Sequence, residues 1–157
     1  MMALRILAAI ALLAAPAAGQ EATQAALVEQ IDTCIGAVGE PADHADLCLG
    51  IHAQPCMEEE TNASTQGMVG CIQAEAGAWD AILNREYKNL LPRLDEEQTD
   101  AIRRAQRAWI AFRDADCAFP HVLIRGTLAQ PWGADCYMQH TARRAMTLRG
   151  LIEYTEN

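Results

Sequence analysis

Six cysteines, Cys34, Cys48, Cys56, Cys71, Cys117 and Cys136, are the strongest constraint on how this chain can fold. All six follow an N-terminal segment with a charged start at Arg5, an apolar run from Ile6 to Pro16, and the small residues Ala17 and Gly19 before Gln20. That order of features is the pattern of a secretory leader over residues 1–19, with cleavage expected after Gly19 or, alternatively, after Ala17. An even set of cysteines beyond such a leader reaches an oxidising compartment, where disulfides form. Six cysteines admit about fifteen pairings. The sequential pairing is the expected one, Cys34 with Cys48, Cys56 with Cys71 and Cys117 with Cys136, and each such loop would stabilise by ~3 kcal/mol. A zinc site built on close cysteine pairs is disfavoured, because no CxxC occurs. No metal and no other cofactor is expected.

Residues 20–157 suffice for one domain with a single core. Strand signals are sparse, while Ala, Leu, Glu, Gln and Arg abound, so the expected fold is all-α, a small disulfide-stapled bundle of about four helices. The first helix is expected from Gln20 to Val38, with Leu27, Ile31 and either Cys34 or Ile35 on its apolar stripe. A short helical piece is expected over Ala42–Ile51, ending before Pro55. The long central helix should start between Thr61 and Ser64, carry Met68, Ile72, Trp79, Leu83 and Leu90 inward, and stop at Pro92.

Asp95 with Gln98 three residues later is a capping-box signature for the next helix, which presents Ile102, Ala105, Trp109 and Phe112 on one side and Arg103, Arg104 and Arg107 on the other. From Ala118 to Pro131 the periodicity fails and a connection is expected. The last helix should run from Ala134 to Glu153, with Cys136, His140, Arg144, Leu148 and Leu151 along one face.

Charge is unevenly spread. No lysine or arginine lies between Arg5 and Arg85, where eleven acidic residues fall. The formal net charge of −9 becomes −10 once Arg5 leaves with the leader. Such a chain repels nucleic acid and anionic membrane and steers cationic partners inward. Catalysis finds little support: Ser64 is the sole serine, no GxSxG or HExxH occurs, and His44, His52, His121 and His140 are scattered. Glu75 and Asp80, five residues apart, point to different helix faces and make a poor acid and base pair. The chain is expected not to be an enzyme.

Cys71, Asp80 with Leu83, Asn84 and Tyr87, then Gln106, Trp109, Arg113, Asp114 and Cys117, then Cys136, Thr141 and Arg144 form a succession that resembles the LprI-like N-terminal domain family, formerly DUF1311. The resemblance covers about residues 56–151. It implies a helical, disulfide-stapled domain of the cell envelope and, for the member that names the family, inhibition of lysozyme. It supplies no active site. Unlike that lipoprotein, this chain has no cysteine after the leader's small residues, so no membrane anchor is expected and the protein should be periplasmic or secreted. Residues 20–55 read as an acidic helical extension ahead of the family domain over 56–157.

Asp80, Asn84, Tyr87, Gln106, Arg113, Asp114 and Arg144 are expected to form a buried polar network that fixes helix register, with Arg113 facing Asp80 and Tyr87 across two antiparallel helices joined by the Pro92 turn. Glu58, Glu59, Glu60 and Trp132 are the candidate binding surface. The leading expectation is a binding or inhibitory module for a cationic protein such as lysozyme. The alternative is a structural or stress-related envelope protein with an endogenous partner. The oligomeric state is not legible in the sequence.

Overall fold

The computed structural model describes residues 17–38 and 46–156, and side-chain surroundings from residue 23 onwards. The leader's residues 1–16 lie outside them. Five α-helices follow one another: α1 (Ala17–Val38), α2 (Ala53–Glu58), α3 (Thr65–Leu90), α4 (Glu96–Leu123) and α5 (Ala129–Glu156), with single 3-10 turns at Glu60–Asn62 and Leu91–Arg93. No strand occurs among the described residues. The fold is an all-α bundle closed by three disulfides, Cys34–Cys48, Cys56–Cys71 and Cys117–Cys136, each joining neighbours in sequence.

The helix starts follow from local chemistry. Ser64 caps α3, its hydroxyl accepting from the Gly67 amide at 3.0 Å. Asp95 and Gln98 complete the capping box of α4, with bonds of 2.8 and 3.0 Å running in both directions.

Three boundaries differ from the sequence reading. The described part of Ala42–Ile51 forms one 3-10 turn at residues 46–48 and then turns, and the helix comes later, as α2, with Pro55 inside it. Pro55 is the third residue of α2 and Pro131 the third of α5, so neither proline removes a hydrogen bond that a first turn would make. This is why α5 begins at Ala129 instead of Ala134. Helix α4 also runs on through Pro120 to Leu123, and the expected connection from Ala118 to Pro131 shrinks to residues 124–128.

Helices α3 and α5 form the centre of the molecule. Helix α5 packs along α3 and also against α4, while α3 receives α1 and α2 on its remaining sides. Ala78, Ala142 and Ala145, all fully buried, let the α3 and α5 backbones approach closely, and Trp79, Ile82, Leu90, Met138 and Leu148 fill the space around them. Leu27, Ile31 and Ile35 of α1 join the same core, one turn apart. Helix α4 sits at the periphery and fully buries only Arg113 and Cys117. Its expected core residue Phe112 is therefore exposed, as is Leu151 of α5. A peripheral helix with one neighbour needs a narrower stripe than its apolar count suggests.

Candidate functional site

The expected network divides into separate clusters, because α5 lies where α3 and α4 were expected to meet. On α3, Asn84 donates to Asp80 at 2.9 Å on an exposed rim, and Tyr87 packs against the core. At the α4–α5 seam, Arg113 bonds the neighbouring Asp114 at 2.8 and 2.9 Å, and its guanidinium lies 4.0 Å from the Tyr137 ring centre and 4.9 Å from that of Trp109. Arg144 of α5 donates to Gln106 at 2.9 Å, and its guanidinium stands 6.0 Å from the centre of the same Trp109 ring. The seam is thus a ladder of alternating cations and rings, favourable because aromatic faces carry negative quadrupole density. Burial pushes the Arg144 pKa down, and its enclosed Nη2 has no hydrogen-bond partner among the described residues.

Glu75, Asp80 and His140 occupy three unrelated settings. Glu75 is wholly buried, and its two carboxylate oxygens accept from the amides of Gly50 (2.7 Å), His52 (2.9 Å) and Ala53 (2.8 Å) and from the Trp79 indole (3.2 Å). It is a clasp that fastens the turn before α2, and the α2 N-terminus, onto α3. Gly50 adopts a φ of 81°, which brings its amide inward at a backbone conformation that favours glycine. Asp80 lines a cleft of about 650 Å³ between α3 and α5, together with Gln73, His121 and Tyr137.

A second cleft, of about 360 Å³, follows the α4–α5 seam beside the Cys117–Cys136 bridge. Its walls include Asp116, Pro120, Trp132, Asp135 and His140. His140 Nε2 lies 2.8 Å from Asp116 Oδ2, and the His140 ring meets Phe112 edge-on at 5.3 Å between centres. Trp132, which the sequence suggested would stand in an irregular loop, sits on the first turn of α5, 56% exposed.

Phe119, Val122 and Leu123 on the last turns of α4 and Leu128 in the connection are all exposed. Glu58, Glu59 and Glu60 are also exposed, and a little further along the chain the Thr65 hydroxyl at the start of α3 reaches Thr127 in the α4–α5 connection at 3.4 Å.

Sequence reasoning missed the Glu75 clasp, although an acid within the stripe of Ile72, Trp79 and Leu83 signals a buried, satisfied carboxylate. It also missed the ion pair of Arg85 with Asp32, at 2.7 and 2.8 Å, which ties α1 to α3 and carried no local signal. The apolar run around Phe119 was visible as composition but was assigned to a connection.

These features define a class: a small helical domain stapled by disulfides, with exposed apolar side chains along the last turns of α4, the connection and the first turn of α5. Residues 56–148 match the model of the lysozyme inhibitor LprI family, and the chain belongs to that family, one of inhibitors and not of enzymes. It is also similar, at 31% identity over 101 residues, to an uncharacterized protein of Rhizobium meliloti (strain 1021), covering 55% of this chain and 73% of that one. No solved structure matches. The disulfides and the family fit a periplasmic or extracellular protein, and among the described residues no helix is long and apolar enough to cross a membrane.

Proposed function

We propose that this protein is a binding module of the cell envelope that inhibits lysozyme, or a similarly cationic envelope-directed protein, through the end of the bundle around Trp132. The observation that carries this reading is the exposure of Phe119, Val122, Leu123, Leu128 and Trp132 within one short stretch of chain, from the end of α4 to the start of α5, in a domain that also exposes the carboxylates of Glu58, Glu59 and Glu60. Large apolar side chains left exposed close together in the chain of a small domain favour a protein-binding surface, and a tryptophan held on a helix is an efficient anchor. The Cys117–Cys136 bridge holds the two helices that carry this surface, so little ordering entropy is lost on docking. The anionic chain supplies steering toward a basic partner.

The test is cell-wall lysis by purified lysozyme at low salt with increasing amounts of this protein. Inhibition that weakens as salt rises, and that falls by a factor of ten or more in Trp132→Ala with an unchanged urea midpoint, is the expected result; a factor of ten corresponds to about 1.4 kcal/mol. Unimpeded lysis with the protein at tens of micromolar sinks the lysozyme reading. Recovery of a stable endogenous envelope partner in that case supports the structural alternative on the same surface.

A further inference from the structure

The cleft beside Trp132 contains a group of side chains that partner binding does not use. One ligating atom each from Asp116, Cys117, Cys136 and His140 lie within 4.8 Å of one another. We propose that the Cys117–Cys136 bridge is the closed form of a redox-gated metal site, which on reduction binds one zinc-class cation through the Cys117 and Cys136 thiolates, His140 Nε2 and the Asp116 carboxylate.

The geometry comes from the two helices. Cys136 and His140 are four residues apart on α5 and so share a face, while Asp116 and Cys117 are adjacent on the facing turn of α4. A tetrahedral zinc ion with bonds of about 2.3 Å to sulfur and about 2.0–2.1 Å to nitrogen and oxygen sets its ligand atoms roughly 3.3–3.8 Å apart. The four ligand atoms already lie within 4.8 Å of one another, with His140 Nε2 2.8 Å from Asp116 Oδ2, so once the bridge opens the arrangement calls for small displacements of the side chains. Two thiolates, one imidazole and one carboxylate are a donor set that suits zinc. Phe112 braces the His140 ring from the side, and the open cleft admits both ion and reductant. Neither of the other two disulfides has such a cluster around it among the described residues.

The chemistry balances with a dithiol as reductant. One of its thiolates attacks a sulfur of the bridge, the Cys117–Cys136 bond breaks, and the resulting mixed disulfide is resolved by the second thiol. Two electrons pass to the protein, the reductant leaves as its own disulfide, and Cys117 and Cys136 become thiols. Metal binding then releases the two thiol protons to solvent. A covalent link between α4 and α5 is exchanged for a coordinate one at the same place.

The experiment uses the full chain, oxidised or reduced by a phosphine that is then removed under inert gas, titrated with Co²⁺ and back-titrated with Zn²⁺. The expected result is one Co²⁺ per reduced chain, with a thiolate-to-cobalt charge-transfer band and tetrahedral visible bands that Zn²⁺ bleaches, and no such bands in the oxidised protein. The bands should vanish in reduced Cys117→Ser/Cys136→Ser. The apparent Kd should rise at least about tenfold in His140→Ala and in Asp116→Asn. The proposal is overturned if the reduced wild type, folded or unfolded by circular dichroism, gives no band. It is equally overturned if the double serine variant binds as tightly as wild type, which would assign the signal to the other four cysteines, or if the His140 and Asp116 variants leave Kd unchanged.

Discussion

The Arg113 guanidinium stands 4.0 Å from the centre of the Tyr137 ring, so the one buried cation of α4 is received by an aromatic face of α5 and not by a carboxylate of α3. Its anionic partner, Asp114, is mostly in solvent and contributes little. The seam therefore depends on stacking and on burial of the arginine stem. Arg113→Ala is expected to cost about 2–3 kcal/mol in urea unfolding, and Arg113→Lys about 1 kcal/mol or more, because an ammonium has no plane to lay on the ring. A lysine variant as stable as wild type would show that charge alone suffices.

Glu75→Gln tests the clasp. The amide keeps the size of the side chain but turns one acceptor into a donor, which faces amide hydrogens. A loss of about 3 kcal/mol in thermal or urea unfolding is expected, in the range for leaving buried groups unpaired. Hydrogen exchange should show the amides of Gly50, His52 and Ala53 losing protection ahead of the core. Uniform loss across the chain would contradict a local clasp.

Gly67→Ala should destabilise although alanine favours helix. The added methyl would lie 2.6–2.9 Å from the backbone of Asn62, in the 3-10 turn that precedes α3, where a main chain must shift to make room. Asn62 is itself tied to Cys56 by a 3.0 Å side-chain bond, and Cys56 to Cys71 by a disulfide. The expected loss is about 1–3 kcal/mol, against a propensity gain of about 1 kcal/mol. A raised melting temperature would refute the steric reading.

The Asp32–Arg85 pair should be insensitive to alkali. Hydrogen bonding to Asp32 raises the Arg85 pKa above its ordinary value, with burial opposing and Glu86 adding to the rise. A raised folded pKa gives stability that is fully present below the ordinary arginine range and lost only above it. The difference in urea midpoint between wild type and Asp32→Asn should therefore stay constant from neutral pH to about pH 10. Its size should be modest, at about 1 kcal/mol, because the pair is over a third exposed.

The sequence made the helices legible where caps and periodicity spoke together, as at Ser64 and at Asp95 with Gln98. It misled where proline was taken as punctuation: Pro55 and Pro131 occupy first turns, where they cost nothing, and Pro120 sits inside the last turns of α4. Which helices touch was the harder question. The aromatic and polar residues of α3 and α4 suggested that those two helices meet, but the small residues Ala142 and Ala145 make α5 the element that packs closely enough to separate them. Exposed apolar residues such as Phe119 and Val122 were not recognisable as a surface, because periodicity shows that a face is apolar and not whether anything covers it.

Because Glu75 grips main-chain amides, the turn from Gly50 to Ala53 is held in place without reference to most of its side chains. His52 and the neighbouring Gln54 can be exchanged while the turn keeps its position over α3. The domain thereby has a stretch of surface whose shape is constant and whose chemistry is open to change, available for retuning toward a new partner without a new fold.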